Sequence, residues 1–314
     1  MLSRVASNVY WMGRYLERAE HMARYTKVQY FTIFDAPSLQ DKDFALRSII
    51  NMTGIAYDQS QEVFDEQEIL LKVGLDRSTG ASILSNIFMA RENARSARNV
   101  LSDELWEYIN SCYHFTNNYD PQYFKTRGLY EFTREINDHI YMIKSCLFQT
   151  LLHDFKWVII NLGIYLERSV QLTRIVLSKL SDIEILEADG RNEVLIDYQW
   201  TTVLKMVEGF DIYNRLIRRH QKHLTPSLFI LKDSTFPRSI LYNLEHLHQL
   251  VERVGRWEHR QKELEYMSGR LASKIKYHSI CDVQDMKKTL SEVLSELYAI
   301  HAEIDRRLFH NTEE

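Results

Sequence analysis

The sequence predicts an all-α chain: a duplicated helical bundle, with two divergent copies of one multi-helix unit around an approximate two-fold axis. Three observations carry this. Glycine and proline number only 10 and 4 among 314 residues, where ordinary usage gives about 22 and 16. These residues punctuate strands and turns, so their scarcity implies long helices joined by few loops. Apolar residues recur at alternating four and three spacing, the period of a helix face packed in a bundle. One such helix then returns later in the chain at a constant offset.

The first helix carries Val5, Val9, Met12, Leu16, Ala19 and Ala23 as one stripe and is stopped by Asp35-Ala36-Pro37-Ser38, since proline cannot continue it. A second helix is expected over about Asp43 to Val63, followed by a looser stretch with Gly74 and Gly80. The third starts near Ser82, with Ile83, Ile87, Ala90, Ala94, Ala97 and Leu101 as its seam. Ser102-Asp103-Glu104 reads as a fresh cap with acid in the first turn, opening a helix through Leu105 and Ile109 that the loop at Asn117 to Pro121 ends.

From Leu129 the pattern resumes and then repeats. Gly163-Ile164-Tyr165-Leu166-Glu167-Arg168 reproduces Gly13-Arg14-Tyr15-Leu16-Glu17-Arg18, and Arg174 matches Arg24, at an offset of 150 (13 to 163, 24 to 174). Ser239-Ile240-Leu241-Tyr242-Asn243 echoes Ser82-Ile83-Leu84-Ser85-Asn86 at an offset of 157 (82 to 239). A longer linker at Ser181 to Glu193 accounts for the difference. Repeat 1 is thus expected over about 1–128 and repeat 2 over about 129–314, within a single domain because no flexible linker parts them.

Composition narrows the function. At 45% hydrophobic and 26% charged, the chain has material for a sizeable core. A net charge of −4 and a pI near 6.3 lack the basic stripe of a nucleic-acid binder. Cys112, Cys146 and Cys281 stand apart, as reduced thiols do in a cytoplasmic protein. The N-terminus has no apolar export segment, and no apolar run is long enough to span a bilayer.

Candidate chemistry lies one step past the seam, where residues flank the buried face. There Gly13, Glu17, Glu20 and Arg24 stand on the first helix and Arg91, Arg95 and Arg98 on the third, an acidic and an arginine stripe whose matching spacing lets them face each other inside the bundle. Gly13 leaves room for a neighbouring backbone or a ligand. One explanation is a charged network that sets helix register; the other is a pocket for an anionic or zwitterionic ligand. Replacing Arg91 and Arg95 by alanine separates them: lost binding at an unchanged thermal midpoint marks a pocket, and a fall in stability marks a network.

The second copy keeps Glu167, Arg168 and Arg174 but has Val170 for Glu20, and His248, Glu252 and Gly255 for the three arginines. Arg24, Glu167, Arg168 and Arg174 therefore read as a structural polar network, and Arg14, Glu17, Glu20, Arg91, Arg95 and Arg98 as ligand-binding candidates. Glu245-x-x-His248 has di-iron spacing, but its first-copy equivalents are Phe88 and Arg91, so no metal is expected. His220-x-x-His223 belongs to a short basic helix end. No phosphate loop, nucleophile elbow or other catalytic motif is present, and no cofactor is implied.

Met1-Leu2-Ser3-Arg4-Val5-Ala6, Tyr10 to Glu20, Ala23-Arg24, Ala90 to Arg95, Glu104-Leu105-Trp106-Glu107 and Gly163 to Arg168 resemble the bacterial alpha-E family. The second copy departs from that pattern at Ile164 and at Ser169-Val170. The resemblance implies an all-helical protein that accompanies an ATP-grasp ligase, often with a transglutaminase-like protein and sometimes a proteasome-like peptidase. It thus implies an accessory role in making or modifying a peptide or small amide. An enzyme using a Glu/Arg pocket between helices, and a pure assembly scaffold, are the alternatives.

Overall fold

The computed structural model describes residues 2–35, 42–55, 64–188, 193–218, 224–257 and 262–310. Among them every regular element is helical, and no helix is long and apolar enough to cross a membrane. The chain divides into two compact units, residues 1–164 with 308–314, and residues 165–307.

The first unit is organised by α1 (Ser3–Asp35), about 50 Å long at 1.5 Å per residue. Its stripe Val9, Met12, Leu16, Ala19 and Ala23 is essentially fully buried. Next come α2 (Lys42–Thr53), α3 (Glu66–Gly74) and α4 (Ile83–Ser96), then a 3-10 turn at Arg98–Val100 and α5 (Asp103–Asn117). A single helical turn, α6 (Pro121–Tyr123), runs through a π-helical turn at Phe124–Gly128 into α7 (Leu129–Thr150). α1 packs on α4 and α7, and α5 packs on the same two, so α1, α4, α5 and α7 form a four-helix ring. Their seams explain it: Ile83, Ile87, Ala90 and Ala94 on α4, and Phe132, Ile136, Ile140 and Ile143 on α7, are buried at helical spacing.

Three boundaries differ from the sequence expectation. α2 ends at Thr53 rather than near Val63, because Gly54 takes a left-handed φ of 70° and terminates the helix; residues 56–63 lie outside the described residues. The stretch before Gly74 is helical, because Asp65 caps α3 by accepting from the N–H groups of Gln67 and Glu68. Gly74 is there for space, since a Cβ would meet the Phe124 ring at 2.5 Å.

The expected linker from Ser181 also begins later. α8 (Phe155–Ala188) continues through it, with Leu180, Ile183 and Leu186 buried. Residues 189–192 lie outside the described residues.

The second unit holds α8 from Tyr165 onward, then α9 (Glu193–Met206), α10 (Phe210–Arg218), α11 (Pro226–Lys232), α12 (Ile240–Gly255), α13 (Lys262–Tyr277) and α14 (Val283–Ile304). α13 packs on α12 and α14, and α11 on α9, α12 and α13.

The loop that opens α4 has a counterpart before α12. Ser82 caps α4 by accepting from Ser85 N–H, and its hydroxyl donates to Asp76 O. Ser239 caps α12 by accepting from Tyr242 N–H and donates to Asp233 O. Asp76 Oδ1 accepts from the amide and hydroxyl of Ser78, and Asp233 Oδ1 from those of Thr235. Buried Asn86 donates to Ser82 O at 2.7 Å, and buried Asn243 to Ser239 O at 2.6 Å.

Candidate functional site

The polar residues of α1 that flank its apolar stripe are buried with it. Glu17, Glu20 and His21 are fully enclosed, and Arg14, Arg24 and Tyr25 nearly so. Buried carboxylates persist only when paired and hydrogen-bonded. Their main cation comes from α7: the Lys144 ammonium donates to Glu17 Oε2 and to Glu20 Oε2. On its other oxygen, Glu17 accepts from His21 Nε2 at 3.0 Å. Glu20 Oε1 accepts from Arg24 Nη1 at 2.6 Å. His21 Nδ1 meets the Tyr25 hydroxyl at 2.6 Å.

The result is a continuous chain, Tyr25, His21, Glu17, Lys144, Glu20, Arg24. Burial lowers the His21 pKa from 6.5 to about 4, overcoming the opposing hydrogen bond that its ring donates to Glu17. His21 is therefore neutral near pH 7. A carboxylate only accepts, so Nε2–H donates to Glu17, and the Tyr25 hydroxyl donates to Nδ1. Within this chain of contacts, two carboxylates face two cations, Lys144 and Arg24. Lys144 is the member that reaches solvent, with 20% of its side chain exposed.

The arginine stripe lies elsewhere, which corrects the expectation that it faces the acids. Arg91 Nε donates to Asn110 Oδ1 at 2.7 Å, Nη1 to Glu92 at 2.8 Å, and the guanidinium lies 4.7 Å from the Tyr113 ring centre and 5.6 Å from that of Trp106. Arg95 pairs with Glu92, and Arg98 with Asp103. All these partners stand on α4 or α5. The α4 seam turns toward α1, and the adjacent arginines are carried round to α5. Arg14 is held by aromatics, its guanidinium 4.6 Å from the Trp11 ring centre.

In the second unit Glu167 is also fully buried and accepts from Gln171 Nε2 at 2.8 Å. Gln171 stands 150 positions after His21 and repeats its i,i+4 bond. Arg18 lies over Tyr15 at 5.7 Å and Arg168 over Tyr165 at 5.3 Å. Arg174 is half-buried where Arg24 is enclosed. Glu245 pairs with Lys276, and His248 Nδ1 with the Ser268 hydroxyl. His220 and His223 lie outside the described residues.

Lys144, His21 and Tyr25 escaped the sequence reading. His21 and Tyr25 were legible in principle, as the i+4 neighbours of Glu17 and His21. Lys144 was not, because only the α1/α7 packing brings it near.

Gly13 and Gly163 sit where α1 meets the start of α8. A Cβ on Gly13 would come within 2.6 Å of Ile160 O, and one on Gly163 would overlap Tyr10 O. The close approach expected at Gly13 is thus made by a backbone.

A family model for Alpha-E, described as a predicted alpha-helical domain with a conserved ER motif, matches residues 1–309. The chain carries Glu-Arg at 17–18, 167–168 and 252–253. Uncharacterised proteins of Mycobacterium bovis and Mycobacterium tuberculosis are 24% identical to it over 262 residues, covering 78% of this chain. The chain spans only 29% of the length of these relatives. No solved structure matches it.

Proposed function

The chain belongs to the Alpha-E family, and from that premise we propose that it is a non-catalytic partner of an ATP-grasp-type ligase, helping to present substrate while a peptide or small amide is made or modified. The observation that carries this is the saturation of Glu17 and Glu20. Both are fully buried, and they accept from Lys144, His21 and Arg24. A general acid or base must reach a substrate proton, and these carboxylates are committed to their neighbours. The separation of Arg91, Arg95 and Arg98 from the acids removes the shared pocket that an enzyme built on both stripes requires.

The relatives support a modular role, since the matching stretch is a minor part of a much longer chain. Among the candidate residues, Arg95 and Arg98 reach solvent and are the positions assigned to partner or substrate contact. Arg14 and Arg91 are held within the fold by aromatic rings. A transglutaminase-like protein is the second expected partner. Cys112, Cys146 and Cys281 are free thiols, in keeping with a reducing cytoplasm.

We also read the chain as a duplication, with α1 and α8 crossing about an approximate two-fold axis. The reciprocal Gly13 and Gly163 contacts and the matching Asp76 and Asp233 loops support it.

The test is co-expression with an ATP-grasp-type ligase from the same source, followed by co-purification and assay of ATP-dependent amide formation with and without this chain. A stable complex whose turnover falls when the chain is omitted is the expected result. A complex with unchanged turnover reduces the role to assembly, and no complex with unchanged turnover overturns the proposal.

A further inference from the structure

At the C-terminal end of α1, away from the buried network, a small open cleft of about 150 Å³ is walled by Tyr30, Phe31, Phe34 and Tyr130 and backed by Leu70 and Phe124. Phe34 is 63% and Tyr130 51% exposed, an unusual display of large aromatic surface. The rings form a connected set, with Phe31 5.8 Å from Tyr130 and 6.0 Å from Phe34.

One side of the cleft is the π-helical turn Phe124–Gly128. Such turns interrupt the regular ladder and are common at functional sites. This one carries Lys125 and Arg127 on the cleft lining, and neither makes an ion pair or hydrogen bond among the described residues. Lys27 lies 5.5 Å from the Tyr130 ring centre. The nearby acids are already engaged: Glu66 by Tyr30 and Lys42, and Glu131 by the Tyr123 hydroxyl at 2.8 Å. Tyr123 leaves the Glu131 charge in place, and Lys125 and Arg127 together outweigh it, so the rim is net positive by one charge.

We propose that this cleft docks a short acidic segment of a partner protein, with one apolar side chain seated among the rings and flanking carboxylates on Lys125 and Arg127. Size decides against a small-molecule ligand, because such pockets run to about 300–1,000 Å³. The space suits a single anchoring side chain, the usual unit of a peptide hot spot. Charge chooses the flanks, since cations left unpaired beside an apolar anchor favour carboxylates and reject basic segments. The proposal stands apart from the identity of the ligase partner, and its test uses no ligase.

The experiment selects random peptides displayed on phage against the intact protein, then measures the enriched sequences as labelled synthetic peptides by fluorescence anisotropy. The expected consensus is one Leu, Met or aromatic residue flanked by Asp or Glu. Affinity should fall by about tenfold or more in the Lys125→Glu/Arg127→Glu variant and in Phe34→Ser, and stay unchanged in Arg270→Glu, an exposed arginine of the second unit. Circular dichroism and thermal midpoint confirm that each variant is folded.

Enrichment of basic or featureless peptides, or binding that survives both cleft variants, overturns the proposal. So does binding that emerges only after residues 36–41 are replaced by a Gly-Ser segment, which would assign the cleft to the chain itself.

Discussion

Gly13 and Gly163 make the same contact in opposite directions: each turns its Cα to a backbone carbonyl three residues before the other, Ile160 O for Gly13 and Tyr10 O for Gly163. Two helices approach this closely only where neither carries a side chain at the crossing. The glycines that mark the repeated hexapeptide are thus spacers.

Alanine at either glycine should overpack this crossing and cost about 1–3 kcal/mol. The double variant should cost less than the sum, since one displaced crossing accommodates both methyl groups. Urea unfolding measures this. Gly80→Ala is the control, because a Cβ there meets nothing within 4 Å.

Acid should destabilise the protein through His21. Its pKa falls from 6.5 to about 4 on folding, so between those values the unfolded chain binds a proton that the folded chain refuses. The stabilisation is complete above pH 6.5, declines as pH drops, and levels off near pH 4. The loss attributable to this group is about 3 kcal/mol over that window. His21→Gln, which copies the Gln171–Glu167 bond, should flatten that part of the stability–pH curve. An unchanged slope would refute the assignment.

Lys144→Met removes the cation shared by two enclosed carboxylates and should cost about 3–5 kcal/mol. Adding Glu17→Gln and Glu20→Gln should recover much of this, because neutral amides tolerate burial far better than unpaired charges. A single variant as stable as the parent would show that Lys144 does not neutralise the pair.

Arg91 and Arg95 should separate on substitution. Arg91→Ala loses a hydrogen bond to Asn110 and ring contacts with Tyr113 and Trp106, for about 1–2 kcal/mol. Arg95, exposed and paired among the described residues with Glu92 alone, should leave the thermal midpoint unmoved while weakening partner association. Equal effects of the two on stability would show that the α4 stripe acts as one unit.

Sequence reading went furthest where the physics is local. Ser82, Ser102 and Ser239 announce helix starts because a cap is a contact across three residues. It failed at α3, where Asp65 is an equally local cap but the glycines that follow suggested a loop. It failed again at Ser181, because a helix continues through polar residues where its apolar face persists at Ile183 and Leu186 and a buried one, Asp182, is paired with Lys179 at 2.8 Å.

By itself, then, the sequence determined that this chain is helical, where α1, α2, α4 and α5 begin, which face of α1 and α4 is apolar, and that its opening pattern recurs. All of these follow from periods and caps within a few residues. Tertiary structure alone decided which helix each polar face meets. Glu17 and Glu20 find Lys144, separated from them by 127 and 124 positions, while Arg91, Arg95 and Arg98 turn to α4 and α5. Helical period defines a direction around one axis; the neighbour in that direction is set by how the apolar seams of the bundle pack.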